Sequence, residues 1–247
     1  MHRIIFQLGS FTLYSYGLCV AGAFLLCTVL ILKDSKKRGM SPEKVFDCFV
    51  AILIGGIVGA RAMYVTANWP EYAHSPLSAL RFYEGGLIFQ GGLIAAVITA
   101  VVVTRIKKLS FWKITDLMAP YIVLGQAIGR IGCFLNGCCY GRIVQRAGIT
   151  FPQEAVMRFP TQIYSSLFLL LLFMFLLWVR QKRSFDGSVF MMYIIIYSVF
   201  RFLMEFMRGD EYMTLFGMRL SQVICIAMFA CGTSIYAILA AKSRHRA

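Results

Sequence analysis

Seven apolar runs of about twenty residues restrict what this chain can fold into. A helix of about 20 apolar residues spans the hydrocarbon core of a bilayer, because each residue advances the axis by about 1.5 Å. The chain has 247 residues, of which 59% are hydrophobic and 15% charged. We therefore predict an all-α polytopic integral membrane protein with seven transmembrane helices. The runs are 14–32, 45–67, 86–104, 114–135, 161–179, 188–207 and 220–241.

The connections between these runs are short, so we predict a single membrane domain over residues 1–247. The longest connection, at about 136–160, lies between the fourth and fifth runs. The sequence does not indicate whether this loop folds as a cap, and it leaves the oligomeric state open.

The distribution of positive charge predicts an orientation. The net charge is +14, and 15 of the 25 basic residues, including all nine lysines, fall in four clusters. These clusters lie at 33–44, 105–113, 180–183 and 242–246. Seven spans put all four on one side, which the positive-inside rule makes cytoplasmic. We predict an outward N-terminus, a cytoplasmic C-terminus and contacts with anionic membrane lipids, with no nucleic-acid partner.

With this orientation, the polar residues inside the runs collect near their outer ends. All seven runs contribute to the same depth, which predicts a polar cavity open toward the outer leaflet. By contrast, Asp47 and Asp116 fall near cytoplasmic ends, where we expect solvation or basic neighbours to satisfy them. The outer polar residues are Tyr16, Arg61, Tyr64, Gln90, Arg130, Thr161, Gln162, Tyr164, Arg201, Glu205, Arg219, Ser221 and Gln222.

The arginines of this set indicate what the cavity binds. A charge at membrane depth costs about 2.5–3.5 kcal/mol, and a guanidinium group matches phosphate or carboxylate through a planar fork. Arg201 and Glu205 are four residues apart on one helix face and are predicted to pair. Arg61 and Arg130 then carry excess charge, and we predict that Arg130 binds a phospholipid phosphate. Arg208 and Arg219 are also open to an interpretation as interfacial residues, and Tyr64 and Tyr164 to one as members of the aromatic belt.

Small residues predict close helix contacts. Gly55 and Gly59, like Gly125 and Gly129, have the four-residue spacing that lets helix backbones approach each other.

The segment 129–142 also carries three cysteines, which admit three interpretations. Structural zinc needs about four ligands, and the nearby extra candidate is His74 in another loop, so we predict no metal site. A Cys133–Cys138 disulfide at an oxidising face is an alternative, although the spacing is awkward within a helix. We favour the third interpretation, in which Cys133, Cys138 and Cys139 are small packing residues.

Six groups of motif residues follow one another in order along the runs. One such motif would be weak, whereas six in register over nearly the whole chain are specific. They are Tyr16-Gly17; Gly59-Ala60-Arg61 with Tyr64; Gly85-Gly86 to Gly91-Gly92; Gly129-Arg130-Ile131-Gly132 through Asn136 to Gly141; Pro160-Thr161-Gln162-Ile163-Tyr164; and Arg201-Phe202 with Glu205-Phe206 and Arg208. By these residues the chain resembles the prolipoprotein diacylglyceryl transferase family.

The resemblance implies an activity and its partners. Enzymes of this family move the diacylglyceryl group of phosphatidylglycerol to the lipobox cysteine thiol of a translocated preprolipoprotein and release glycerol phosphate. The resemblance therefore implies three partners, namely phosphatidylglycerol, the preprolipoprotein signal peptide with its lipobox cysteine, and membrane lipids. It also implies a multi-pass protein of the bacterial cytoplasmic (inner) membrane, with its active site toward the outer leaflet and no cofactor.

The resemblance also implies roles for individual residues. Arg130 matches the family's phosphatidylglycerol-binding arginine, Arg201 the second key arginine, and Glu205 the acid paired with it. The residues predicted to be catalytic are Arg130, Arg201, Glu205 and Gln90. The residues predicted to bind substrate are Arg130, Tyr16, Arg61, Tyr64, Asn136, Gly141 and Gln162.

Three positions differ from the family's commonest pattern. Gln90, Cys133 and Cys138 stand where His, Asn and Glu are usual. Because an amide cannot accept a proton, the proton acceptor for the substrate thiol is left open. One alternative is a lipid-binding or altered-specificity paralogue. A small-anion transporter is less favoured, because transporters place their site near the midplane between repeated halves, and no such repeat is evident here.

Overall fold

The computed structural model describes residues 4–8, 11–73, 75–81, 85–146, 148–151, 156–182, 185–209, 214–215 and 217–244. Seven of the helices are long and apolar enough to cross a membrane, which confirms the predicted all-α seven-span class. The orientation of the termini stays a prediction. The helices are α1 (Ser15–Lys37), α2 (Pro42–Ala67), α3 (Trp69–Tyr72, a single turn), α4 (Phe89–Ile106), α5 (Phe111–Asn136), α6 (Thr161–Gln181), α7 (Ser188–Glu205) and α8 (Leu220–Arg244).

Short strands form three two-stranded antiparallel hairpins, and none of them builds a larger sheet in the described chain. One 3₁₀ helix, Pro76–Leu80, follows α3. The strands are β1 (Ile4–Leu8) with β2 (Phe11–Tyr14), β3 (Ile149–Thr150) with β4 (Met157–Arg158), and β5 (Thr214–Leu215) with β6 (Met218–Arg219).

The chain divides into two compact units. The smaller unit is Leu32–Ile114, and the larger unit combines Met1–Ile31 with Thr115–Ala247. The prediction of a single membrane domain stays a prediction.

In the smaller unit, glycines let α2 and α4 pack with their backbones in contact. A Cβ added to Gly59 would lie 2.7 Å from the Gly91 carbonyl oxygen, and one on Gly55 would overlap the Thr99 side chain. The predicted contact at the first glycine pair is thus confirmed. In the larger unit, a Cβ on Gly125 would lie 3.6 Å from the Cys27 sulfur.

The core of the larger unit joins α5, α6 and α7. Two polar contacts cross it: the Gln126 amide donates to the Tyr193 hydroxyl at 3.0 Å, and the Ser166 hydroxyl donates to the Ala127 carbonyl at 3.0 Å. Such partners are needed because a buried polar group without a hydrogen bond is costly. The buried apolar side chains are Ala119, Val123, Ala127, Leu169, Leu172, Leu176, Val189 and Tyr193.

Asp116 of α5 caps the start of α7. It is buried, so solvation, one of the two alternatives that the sequence left open, does not satisfy it. Its side chain is 1% exposed. Its Oδ2 accepts the Gly187 N–H at 2.8 Å, and its Oδ1 accepts the Phe190 N–H at 2.9 Å. The first amides of a helix have no partner within the helix, and a carboxylate there also interacts favourably with the helix dipole. Asp47, by contrast, pairs with Lys107 at an exposed site, as expected of a basic neighbour.

The loop between α5 and α6 is folded where the structure describes it. The hairpin β3–β4 closes it, and the Val144 N–H donates to the Met157 carbonyl at 3.0 Å. Phe151 is 1% exposed and lies against Phe134 and Tyr140, with ring centroids 6.2 and 5.1 Å away. This buried aromatic contact holds the loop to the end of α5.

Replacing Asp116 with alanine is expected to destabilise the protein by about 1–3 kcal/mol, the cost of leaving a buried amide unpaired. The thermal unfolding midpoint of the detergent-solubilised protein measures the effect. Asp47→Ala is the matched control and should leave the midpoint nearly unchanged, because its ion pair is exposed. An unchanged midpoint for Asp116→Ala would contradict the cap.

Candidate functional site

A cleft between α5, α6 and α7 of the larger unit brings several predicted site residues together. Arg130 from α5 and Arg201 from α7 both line it, as the sequence predicted. Residues from α6 complete one wall. The polar residues that line the cleft are Arg130, Thr161, Ser165, Tyr197, Arg201 and Arg208.

Glu205 is a buried carboxylate that lies against two of the arginines. Its side chain is 0% exposed, and its Oε2 lies 2.6 Å from a guanidinium nitrogen of Arg201, which confirms the predicted pair. Its Oε1 lies 3.6 Å from a guanidinium nitrogen of Arg219, which also donates to the Glu205 carbonyl at 2.8 Å. The acid is therefore shared between two arginines.

Arg130 differs from Arg201 in its surroundings. Within the described part of the chain, no hydrogen bond or ion pair to its guanidinium group is seen, and the side chain is half-buried. A guanidinium group offers five N–H donors and is always charged. The cleft therefore has both positive charge and donors available for an anionic ligand.

The C-terminal end of α5 explains why three cysteines meet beside Arg130. Gly137 has a φ of +72°, its N–H donates to the Phe134 carbonyl at 3.2 Å, and the Cys138 N–H donates to the Cys133 carbonyl at 3.1 Å. This pair of bonds is the Schellman motif, which reverses the chain at a helix end. The sulfur atoms of Cys133, Cys138 and Cys139 consequently lie within 4.8 Å of one another. His74 lies outside the described residues.

The start of α6 holds this turn in place. The Gln162 amide donates to the Cys138 carbonyl at 2.7 Å, and the Thr161 hydroxyl donates to the Cys139 carbonyl at 2.8 Å. Cys139 has a φ of +62°, which is uncommon for a residue with a side chain and marks a position held by its surroundings. Gln162 is fully buried, so its side chain positions the backbone of the turn.

The two cysteines beyond the helix differ in acidity. A hydrogen bond from the Cys133 thiol lowers the pKa of Cys139 well below its ordinary value, against the raising effect of burial, and the charges of Arg208 and Arg130 lower it further. Burial is the main cause that raises the pKa of Cys138. The Cys133 hydrogen bond, and to a lesser degree the arginine charges, thus favour the thiolate form of Cys139.

Tyr16 and Asn136, both predicted to bind substrate, lie near this turn. A Cβ on Gly132 would lie 3.3 Å from the Tyr16 ring, so α1 and α5 approach closely here. Asn136 is the last residue of α5 and precedes the turn at Gly137.

Gly141 lies where three backbone segments meet. Its N–H donates to the Phe159 carbonyl at 2.8 Å, and the Arg142 N–H donates to the Met207 carbonyl at 2.9 Å. A Cβ on Gly141 would lie 2.5 Å from the Met207 oxygen and 2.9 Å from the Phe159 oxygen. Only glycine permits this approach, which joins the loop after α5 to the end of α7.

Three of the predicted residues belong to the smaller unit. Arg61 is 3% exposed and donates to the carbonyls of Ser78 at 3.1 Å and Ala79 at 2.8 Å, and also to those of Gly85 and Gly86. The Tyr64 and Tyr72 rings lie 5.7 and 5.5 Å from its guanidinium carbon. Arg61 therefore holds a loop through its backbone. Gln90 is exposed in the first turn of α4.

Arg208 and Arg219 make contacts that an interfacial position alone does not explain and that the sequence did not predict. Arg208 lines the cleft, and Arg219 binds Glu205 and the Arg208 carbonyl. One sequence signal could have indicated these contacts. Several arginines, Arg208 and Arg219 among them, lie near the outer ends of the runs, where Glu205 is the nearby acid with which they can pair.

Replacing Gly141 with alanine is expected to separate the three segments and to lower the thermal unfolding midpoint of the detergent-solubilised protein. The backbone oxygens it would meet cannot rotate away as side chains do. Gly22→Ala is the matched control, since no described atom lies within 4 Å of a Cβ there. Equal midpoints for the two variants would contradict the packing argument.

Comparisons with known proteins agree over nearly the full length. A family model described as prolipoprotein diacylglyceryl transferase matches residues 3–238. A Clostridium tetani protein named phosphatidylglycerol–prolipoprotein diacylglyceryl transferase is 34% identical over 244 residues, covering 96% of this chain and 98% of the relative. Proteins of that name from Clostridium perfringens (number 2) and Bacillus licheniformis are 32% and 33% identical, covering 99% of this chain and 98% and 94% of the relatives. This chain therefore belongs to the prolipoprotein diacylglyceryl transferase family.

Proposed function

We propose that this protein transfers the diacylglyceryl group of phosphatidylglycerol to the lipobox cysteine thiol of preprolipoproteins. The products are a prolipoprotein with a thioether-linked diacylglyceryl group and glycerol phosphate, in the first step of lipoprotein maturation. The names of the full-length relatives support the reaction class and both substrates. They favour neither a non-catalytic paralogue nor a transporter.

The Arg130 guanidinium group in the wall of the cleft is the observation that carries the proposal. No hydrogen bond or ion pair to it is seen among the described residues, while the carboxylate of Glu205 is already shared by Arg201 and Arg219. Burying unbalanced charge is costly, so an anionic ligand stabilises this group. The phosphodiester of phosphatidylglycerol supplies that anion, and its acyl chains reach the apolar surface of the helices.

The reaction exchanges a carbon–oxygen bond for a carbon–sulfur bond. The substrate sulfur attacks the glyceryl carbon that carries the phosphate, the C–S bond forms, and the electrons of the broken C–O bond leave on a phosphate oxygen. Ionising a thiol of pKa near 8.5 at pH 7 costs about 2 kcal/mol. Arg130 and Arg201 lower this cost and stabilise the charge on the departing phosphate.

The proton of the substrate thiol passes to the departing phosphate oxygen or to water. Gln90 has no group that accepts a proton and orients the substrate through its amide. Glu205 is fully buried and tied to two arginines, so we assign it the positioning of Arg201.

The remaining predicted residues contribute to the site in different ways. Tyr16 and Asn136 contact the substrate beside Arg130. Gln162 and Gly141 act through the backbone segments that they hold. Arg61 and Tyr64 shape the loop of the smaller unit, so we expect substitutions there to alter substrate affinity more than the chemical step.

The cleft faces the outer leaflet of the bacterial inner membrane, with the N-terminus outside and the C-terminus in the cytoplasm. The four basic clusters support this orientation. A green fluorescent protein fused to the C-terminus is therefore expected to fluoresce, whereas alkaline phosphatase at the same position should be inactive.

Complementation of a strain depleted of its own transferase tests the function directly. Growth should be rescued, and a reporter lipoprotein should gain the diacylglyceryl group, detected by mass spectrometry. Failure of rescue at good membrane expression would favour an altered-specificity paralogue.

Replacing Arg130 with alanine is expected to lower the transfer rate about 100- to 1000-fold, because donors aimed at developing charge contribute on that scale. Purified protein in phosphatidylglycerol liposomes, a lipobox peptide and detection of released glycerol phosphate provide the measurement. Arg146→Ala, at an exposed position of the 136–160 loop, is the control and should keep the wild-type rate. Full transfer by Arg130→Ala would refute the phosphate-binding role.

Replacing Gln90 with alanine is expected to lower the same rate about 2- to 10-fold, the value of one neutral hydrogen bond. The shape of the pH–rate profile should not change, because the amide does not titrate. A normal rate in the variant would show that Gln90 is not needed, and a changed profile would contradict a purely orienting role.

A further inference from the structure

Three thiols from different parts of one turn converge on a single point beside the cleft. The sulfur atoms of Cys133, Cys138 and Cys139 lie within 4.8 Å of one another, and all three residues are partly exposed. No step of the transfer reaction uses them. They come together because the turn at Gly137 folds Cys138 back onto the helix end.

This spacing suits metal coordination. Metal–sulfur bonds of about 2.3 Å place the sulfurs of a tetrahedral site about 3.8 Å apart, and those of a trigonal site about 4.0 Å apart. Side-chain adjustments of about 1 Å therefore bring the three sulfurs onto one ion. The five-residue separation of Cys133 and Cys138 would keep their sulfurs apart only in a continuous helix, and the helix ends at Asn136.

The surroundings are those of a built site. Gln162 and Thr161 hydrogen-bond the carbonyls of Cys138 and Cys139. Groups of this kind orient the ligands of metal sites. The charges of Arg130 and Arg208 also act on the Cys139 sulfur and offset the negative charge of three thiolates on one ion.

We propose that Cys133, Cys138 and Cys139 form a site for one thiophilic metal ion of the Cu⁺ or Zn²⁺ class. Soft thiolate ligands select these ions over Mg²⁺ and Ca²⁺. Binding releases the thiol protons to water and forms three metal–sulfur bonds. Three thiolates complete the coordination of Cu⁺, whereas Zn²⁺ binds a water molecule as its fourth ligand. The ion ties the end of α5 to the segment that leads to Gly141.

Cd²⁺ titration of the reduced, metal-free protein in detergent tests the site. We expect one ion per chain, with the ultraviolet charge-transfer absorption of three cadmium–thiolate bonds and a raised unfolding midpoint. Cys133→Ser and Cys139→Ser should each abolish this step. Cys19→Ser is the matched control, because Cys19 lies beside Gly132 but outside the trio, and it should keep the step.

Alkylation mapping of the wild-type protein keeps the test independent of how the variants fold. Cd²⁺ should protect Cys133, Cys138 and Cys139 from a maleimide and leave the exposed Cys231 reactive. Three outcomes would overturn the proposal: no saturable step, a step that survives Cys133→Ser, or a disulfide within the trio in protein alkylated at the moment of cell lysis. Because metal binding is read without substrates, its failure would leave the proposed transfer reaction unaffected.

Discussion

The carboxylate of Glu205 holds together the arginine-rich end of the larger unit. It is fully buried, and its two oxygens lie 2.6 Å from Arg201 and 3.6 Å from Arg219. Removing one partner of a buried ion pair leaves an uncompensated charge, so these three side chains depend on one another. Because this acid is shared by Arg201 and Arg219, it does not serve Arg130, to whose guanidinium group no hydrogen bond or ion pair is seen in the described part of the chain. The proposed site for an anionic head group rests on that guanidinium group.

Backbone hydrogen bonding explains how the cleft keeps its shape. A membrane offers few water partners, so the ends of helices need partners from the protein. Asp116 supplies them at the start of α7, and the Schellman turn at Gly137 supplies them at the end of α5. Gly141 then lets the chain run against the end of α7. These contacts position Arg130 and Arg208 on the walls of one cleft.

Some of this site follows from the sequence, and some does not. The Arg201–Glu205 pair was predicted because residues four apart lie on one helix face, and this local rule needs no tertiary information. The contact of Arg219 with Glu205 was not predicted, because the two residues lie 14 positions apart in different elements. The meeting of the three cysteine sulfurs was not predicted for a different reason, since a turn that reverses the chain brings together sulfurs that a continuous helix would separate.

The sequence by itself determined the seven membrane-spanning helices and their boundaries to within a few residues. Whether a helix can span a bilayer depends on the length of its apolar run and on its charges, and both are local properties of the sequence. It also determined the family through motifs spread over the whole chain. Only the tertiary structure decided how Glu205 is shared, why Gly141 tolerates no side chain, and that three thiols meet beside Arg130. Those outcomes depend on distances between segments far apart in the chain, which packing and backbone hydrogen bonds set.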